Sequence, residues 1–154
     1  MTLASRRALV RSISVVAAAV AAIVGVIVRT AAAKLNMARD YAEETSALKV
    51  IQALNTAQVQ YNSQFGRYAW SLTELGPSAS DLISADLAAG EKQGYNFTLT
   101  GTPTGYTITA APSALRSAGM RTFYSDQSLA IRENYGSEPA TASSKEVGRG
   151  AKQP

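Results

Sequence analysis

Asp81, Asp86, Glu91 and Asp126 are carboxylates in turn-rich stretches, where a general acid, a general base or a ligand to a hard cation would be sought. None stands at a recognisable spacing from a nucleophile or a second base, as acid–base or nucleophilic catalysis requires. Their loop context reads instead as helix capping and solvated turns. Calcium at Asp126 would need several oxygen ligands close by, and Asp126 is the only acid between residues 121 and 132. The chain has no cysteine, which removes thiolate chemistry, cysteine-held metals and disulfides. It has no histidine either, and with both types missing most zinc sites and the commonest general base are gone. Gly101 and Gly105 bracket Thr102-Pro103-Thr104 as turn glycines, and no helix follows them to make a phosphate cradle. No catalytic, cofactor-binding or metal-ligating residue is therefore assigned, and the chain reads as a non-enzyme.

The chain's 154 residues allow one compact domain and an anchor. The net charge of +4 is small, and basic residues are spread from Arg6 to Lys152 rather than gathered in a run, so no nucleic acid is expected.

The asymmetry lies at the start. Arg6, Arg7 and Arg11 precede an apolar stretch, Ile13 to Val28, with no acid among them. That stretch is slightly shorter than the roughly 20 residues a spanning helix needs. Snorkelling of Arg29 and the added length of Thr30 to Leu35 make a tilted span reasonable. The competing reading is a secretory signal cut after Ala31-Ala32-Ala33. Against it, the apolar run is longer than usual and Arg29 sits between that run and the cleavage site. A buried core helix fits worse, because the run is apolar on every face. Arg29, Lys34 and Arg39 nearly balance the head's charge, so charge alone barely sets orientation.

Between Leu35 and Gln64 there is no Gly or Pro, so the helix is expected to continue. Ala47, Ile51, Leu54, Ala57, Tyr61 and Phe65 recur at three- and four-residue steps and form one apolar stripe, with Glu43, Lys49, Gln52 and Gln60 largely off it. Tyr61 and Phe65 are expected in a helix-to-sheet core. Gly66 ends the helix, Gly76-Pro77 marks a turn, and Ser80 is the expected N-cap of a short amphipathic piece to Ala89. Trp70 and Leu72 are expected to plug this connection onto the core. From Gly94 the period becomes two: Tyr95 to Thr100 and Tyr106 to Ala110 predict one antiparallel hairpin, and Arg121 to Ser125 with Leu129 to Arg132 a second.

The chain thus divides into a basic head (1–12), a membrane-spanning half of a long helix (13–33), an amphipathic half (34–65), a connection and antiparallel sheet (66–136) and a polar tail (137–154) expected to be disordered. The fold class is α+β.

The words Ala42-Glu43-Glu44-Thr45-Ser46-Ala47-Leu48, Ile51, Asn55-Thr56-Ala57-Gln58, Tyr61 and Phe65-Gly66-Arg67-Tyr68 resemble the helix of a type IV pilin subgroup. Leu72 to Leu75, Asp81-Leu82-Ile83, Gly94-Tyr95-Asn96-Phe97, Tyr106 to Ala110 with Pro112, and Phe123 to Ser128 resemble the same subgroup, as does the order of elements shared with type II secretion pseudopilins. The resemblance runs from about Ala42 to Arg132. It implies a structural subunit of a pilus or secretion system, single-pass in the inner membrane, with its C-terminal domain in the periplasm or at the cell surface. Its implied partners are the membrane and other pilin or pseudopilin subunits, with no small-molecule substrate and no cofactor. The start departs from the family: Arg11 stands where the processed glycine would be, Ser12 at the phenylalanine and Val16 at the glutamate, while Gly25 keeps a family glycine. That departure opens a second reading, a tethered or secreted module that keeps the domain, does not polymerise, and uses its hairpin loops or Trp70 to contact a partner.

Overall fold

The structure is a computed structural model. It describes residues 3–113, 120–136 and 138–148, with side chains described from Lys34 onward and at Ala22 and Arg29. Helix α1 is Leu3–Phe65, and the chain divides into two units, Met1–Asp40 and Tyr41–Pro154. The first unit contains the N-terminal part of α1. Among the described residues no helix is long and apolar enough to cross a membrane. The span expected over 13–33 rests on side chains that, Ala22 and Arg29 apart, lie outside the described residues, as do the side chains of the head.

In the second unit the rest of α1 packs against a six-stranded antiparallel sheet, which makes the domain α+β. The strands are β1 (Glu91–Lys92), β2 (Tyr95–Gly101), β3 (Tyr106–Pro112), β4 (Arg121–Asp126), β5 (Ile131–Tyr135) and β6 (Lys145–Glu146), and they lie side by side in chain order. Each strand therefore pairs with its chain neighbour, so no long connection has to be closed before pairing begins. Both expected hairpins form. Thr98 faces Thr109 in the first, and Tyr124 faces Arg132 in the second.

Alternation sends Tyr95, Phe97 and Leu99 of β2 and Tyr106, Ile108 and Ala110 of β3 inward. They meet Ala47, Ile51, Leu54, Ala57 and Tyr61, which are buried on one face of α1. Burying a side chain such as Ile51 or Leu54 contributes roughly 1.5–3 kcal/mol. At the end of α1, Gly66 takes a φ of +72° and its N–H bonds to the Asn62 carbonyl at 2.8 Å, the left-handed stop that glycine adopts with least strain.

Four expectations need correction. Phe65 continues the stripe in sequence but is 55% exposed: it is the last residue of α1, and its ring lies against Tyr61, 4.5 Å away. Trp70 is 47% exposed, whereas Leu72 in α2 (Leu72–Leu75) is buried as expected. The helical piece after Gly76-Pro77 is only α3 (Ala85–Ala88), preceded by Ser84. Ser80 caps nothing: its hydroxyl donates to the Glu74 carbonyl at 2.6 Å, and Asp81 beside it takes a φ of +53°, which breaks helical geometry. Finally, the polar composition beyond Gly136 reads as disorder, yet within it β6 pairs with β5 and Ala140 is buried. The Ala140 N–H donates to the Thr122 hydroxyl at 2.9 Å, and the Arg132 guanidinium donates to the Ser144 carbonyl at 3.1 Å. Hydrogen bonds from the sheet thus hold a segment with few apolar residues of its own. Residues 137 and 149–154 lie outside the described residues.

Candidate functional site

The four carboxylates singled out by sequence do not converge. Asp81 lies in an exposed turn, its N–H bonded to the Gly76 carbonyl. Asp86 in α3 pairs with Lys92 at 2.9 Å, and bonds from Ser84 and Lys92 hold its carboxyl well below the usual range. Glu91 is exposed on β1. Asp126 closes the β4–β5 turn, accepting from the Ser128 N–H at 2.9 Å and the Tyr124 hydroxyl at 3.3 Å. Among the described residues no group of three or more acids is placed to hold a metal ion.

The polar groups that do converge were not singled out by sequence. Arg121 on β4 bonds Glu44 on α1 through Nε at 2.8 Å and Glu133 on β5 at 2.6 Å, with all three side chains mostly buried. Burial would lower the arginine's proton affinity, but the two carboxylates outweigh it and raise the pKa further. Deeper in, the Tyr106 hydroxyl donates to Asn55 Oδ1 at 3.0 Å and Asn55 Nδ2 donates to Ser125 Oγ at 2.9 Å, which leaves the serine proton for the Ala130 carbonyl at 3.1 Å. Gln58 meets the Ala69 backbone with both its amide atoms, at 3.1 and 2.9 Å. The signal for Asn55 and Gln58 was present: both are polar residues beside the stripe positions Leu54 and Ala57. These groups fix the register of helix against sheet. They expose no reactive atom.

Past the end of α1, Gln58 and a bond from the Gly101 N–H to the Trp70 carbonyl at 3.0 Å hold the chain in a corner. Its centre is Glu74 Oε2, which accepts from the Tyr61 hydroxyl at 3.0 Å, Arg67 Nη1 at 2.9 Å and the Trp70 N–H at 3.3 Å. Burial pushes the Glu74 carboxyl up, but these donors win and hold it below the ordinary range. The Tyr61 hydroxyl is raised by burial and then by Glu74. The Phe65 ring lies 4.5 Å from the Tyr61 ring, and the Arg67 guanidinium sits 5.3 Å over Tyr61. The corner thus presents two exposed rings and a half-exposed arginine on a fixed base. A separate recess of about 320 Å³ lies over Val50, Ile83 and Leu87, with Lys49 and Lys92 among its lining residues.

No family model, no curated protein and no solved structure matches this chain.

Proposed function

We propose that the chain is a pilin-like structural subunit, anchored in the inner membrane through Ile13 to Val28, with its sheet domain outside the cytoplasm. The observation that carries the reading is the course of α1, which joins that apolar sequence to a helix face packed on an antiparallel sheet. The words that resemble a pilin helix include Glu44, Asn55 and Gln58, and all three tie the helix to the rest of the domain. The subunit has no catalytic role. Val16 stands where the family's glutamate would offset a neighbour's charged amino terminus, and an unprocessed head would bring Arg6, Arg7 and Arg11 into an apolar bundle without partners. The chain therefore stays in the membrane or enters filaments as a rare component. Mass spectrometry of sheared surface filaments, with membranes run in parallel, tests this: the chain is expected in membranes, and its dominance in filaments would overturn the assembly argument.

A second reading, a tethered module that binds a partner and does not polymerise, is favoured by one observation. Phe65 and Trp70, the large rings of the corner, are exposed on a rigid base instead of being buried.

A further inference from the structure

We propose that the corner formed by Phe65, Arg67 and Trp70 binds a proline-rich segment in the polyproline II conformation, an inference that rests on the binding-module reading. Tryptophan and arginine are the side chains most enriched where contact energy concentrates, and here both are exposed, with Arg67 over Tyr61 and the exposed Phe65 ring against the same Tyr61. The base is set before any ligand arrives, because one carboxylate oxygen fastens Tyr61, Arg67 and the Trp70 backbone together. Little side-chain or loop ordering remains to oppose binding.

The polar inventory selects the ligand. Arg67 is half-exposed and directs Nη1 to Glu74 and the Tyr68 carbonyl, and the exposed Trp70 carries an indole N–H, so the corner offers donors. Its one carboxylate, Glu74, is engaged by three donors and its charge is met by Arg67. A surface of flat rings and donors matches a ligand made of apolar rings and carbonyl acceptors that brings no N–H of its own. Proline meets that description residue by residue, since it has no backbone N–H and its helix leaves every carbonyl solvated. Aromatic-lined surfaces recognise such segments elsewhere for the same reason. A glycan would bring many hydroxyl donors that need acceptors, and of the single carboxylate at the corner Oε2 already accepts three bonds.

Trp70 is the only tryptophan in the chain, so its fluorescence reports on this corner alone. The full chain in nanodiscs would be titrated with decaproline, with a glycine–serine peptide of equal length and with cellohexaose. Decaproline is expected to shift Trp70 emission saturably and the glycine–serine peptide to leave it unchanged. Phe65→Ala and Arg67→Gln should each weaken the decaproline response about tenfold or more, and Leu129→Ala, at an exposed residue of the β4–β5 turn, should not. Unchanged far-ultraviolet dichroism would show that the variants fold. A response to cellohexaose alone would overturn the peptide class while keeping the corner as a binding surface. No response to any probe at millimolar concentration would overturn the binding-module reading as well.

Discussion

Arg121 and Glu44 lie 77 residues apart and meet at three points: Arg121 Nε and Nη2 each stand 2.8 Å from Glu44 Oε2, and the Arg121 backbone N–H stands 3.0 Å from Oε1. One glutamate on the helix thus fixes both the side chain and the main chain at the start of β4. Glu133 completes the arrangement from β5, and the guanidinium lies over Phe123 and Tyr135 at 5.5 and 5.8 Å. The cation is satisfied in its plane by carboxylates and on its faces by rings.

Arg121→Ala should therefore cost about 3 kcal/mol or more in urea denaturation, since it strands two largely buried carboxylates. Lys92→Ala breaks an exposed pair with Asp86 and should cost less than about 1 kcal/mol. Equal costs would mean that the Arg121 cluster is solvated in the folded state.

Stability should fall at both ends of the pH scale, for different groups. Burial, then the charges of Tyr68 and Asp126, raise the Tyr106 pKa above its ordinary value of 10.0. The folded chain holds that proton more tightly than the unfolded chain does, so stability is intact below pH 10.0 and is lost as pH rises from there through the folded-state pKa. Glu74 and Asp126 are held below their ordinary values of 4.5 and 3.8, so their contribution is present above those values and is lost as the pH falls through the folded-state pKa values. Tyr106→Phe should flatten the alkaline limb in a denaturation series over pH. It should also lower stability at pH 7 by about 1–3 kcal/mol, because Asn55 Oδ1 loses its donor. An unchanged alkaline limb would assign the loss to other tyrosines.

Tyr61→Ala and Phe65→Ala should separate sharply although both residues lie on one sequence stripe. Tyr61 is 6% exposed and should cost about 3 kcal/mol or more, whereas Phe65 is 55% exposed and should cost under about 1 kcal/mol. Thermal or urea denaturation of the two variants measures this, and equal large losses would place Phe65 back in the core.

That contrast marks how far periodicity reaches. The helix from Leu35, its stripe and both hairpins were legible because backbone period and burial agree there: every stripe residue from Ala47 to Tyr61 is buried, and β2 alternates without a fault. Periodicity says which face a residue is on, not how far along the helix that face stays covered, so Phe65 was misplaced. Composition misled at 138–148 because hydrogen bonds to Thr122 and Arg132, together with two small apolar anchors, Ala140 and Val147, hold that segment. The Arg121 cluster carried no local signal, since its members come from α1, β4 and β5. Of the four acids read as helix caps and solvated turns, Asp81 and Asp126 lie at turns, whereas Asp86 lies within α3 and Glu91 on β1, and the residue before α3 is Ser84.

Gly101→Ala should destabilise by about 1–3 kcal/mol, because an added Cβ would lie 2.6 Å from both the Ala69 carbonyl oxygen and the Trp70 Cα. Gly136→Ser supplies a comparison at a left-handed position with nothing within 4 Å of the added atom, where only backbone strain operates. If Gly101→Ala were neutral by urea denaturation, the connection carrying Trp70 would not rest on β2, and the fixed base of the corner would be lost.

The proposed membrane anchor is tested most directly by alkaline carbonate extraction of native membranes, followed by immunodetection of the chain in pellet and supernatant. Burial of Ile13 to Val28 in hydrocarbon predicts that the chain stays in the pellet, since surface charge alone would not hold it there. Quantitative release into the supernatant would contradict the account.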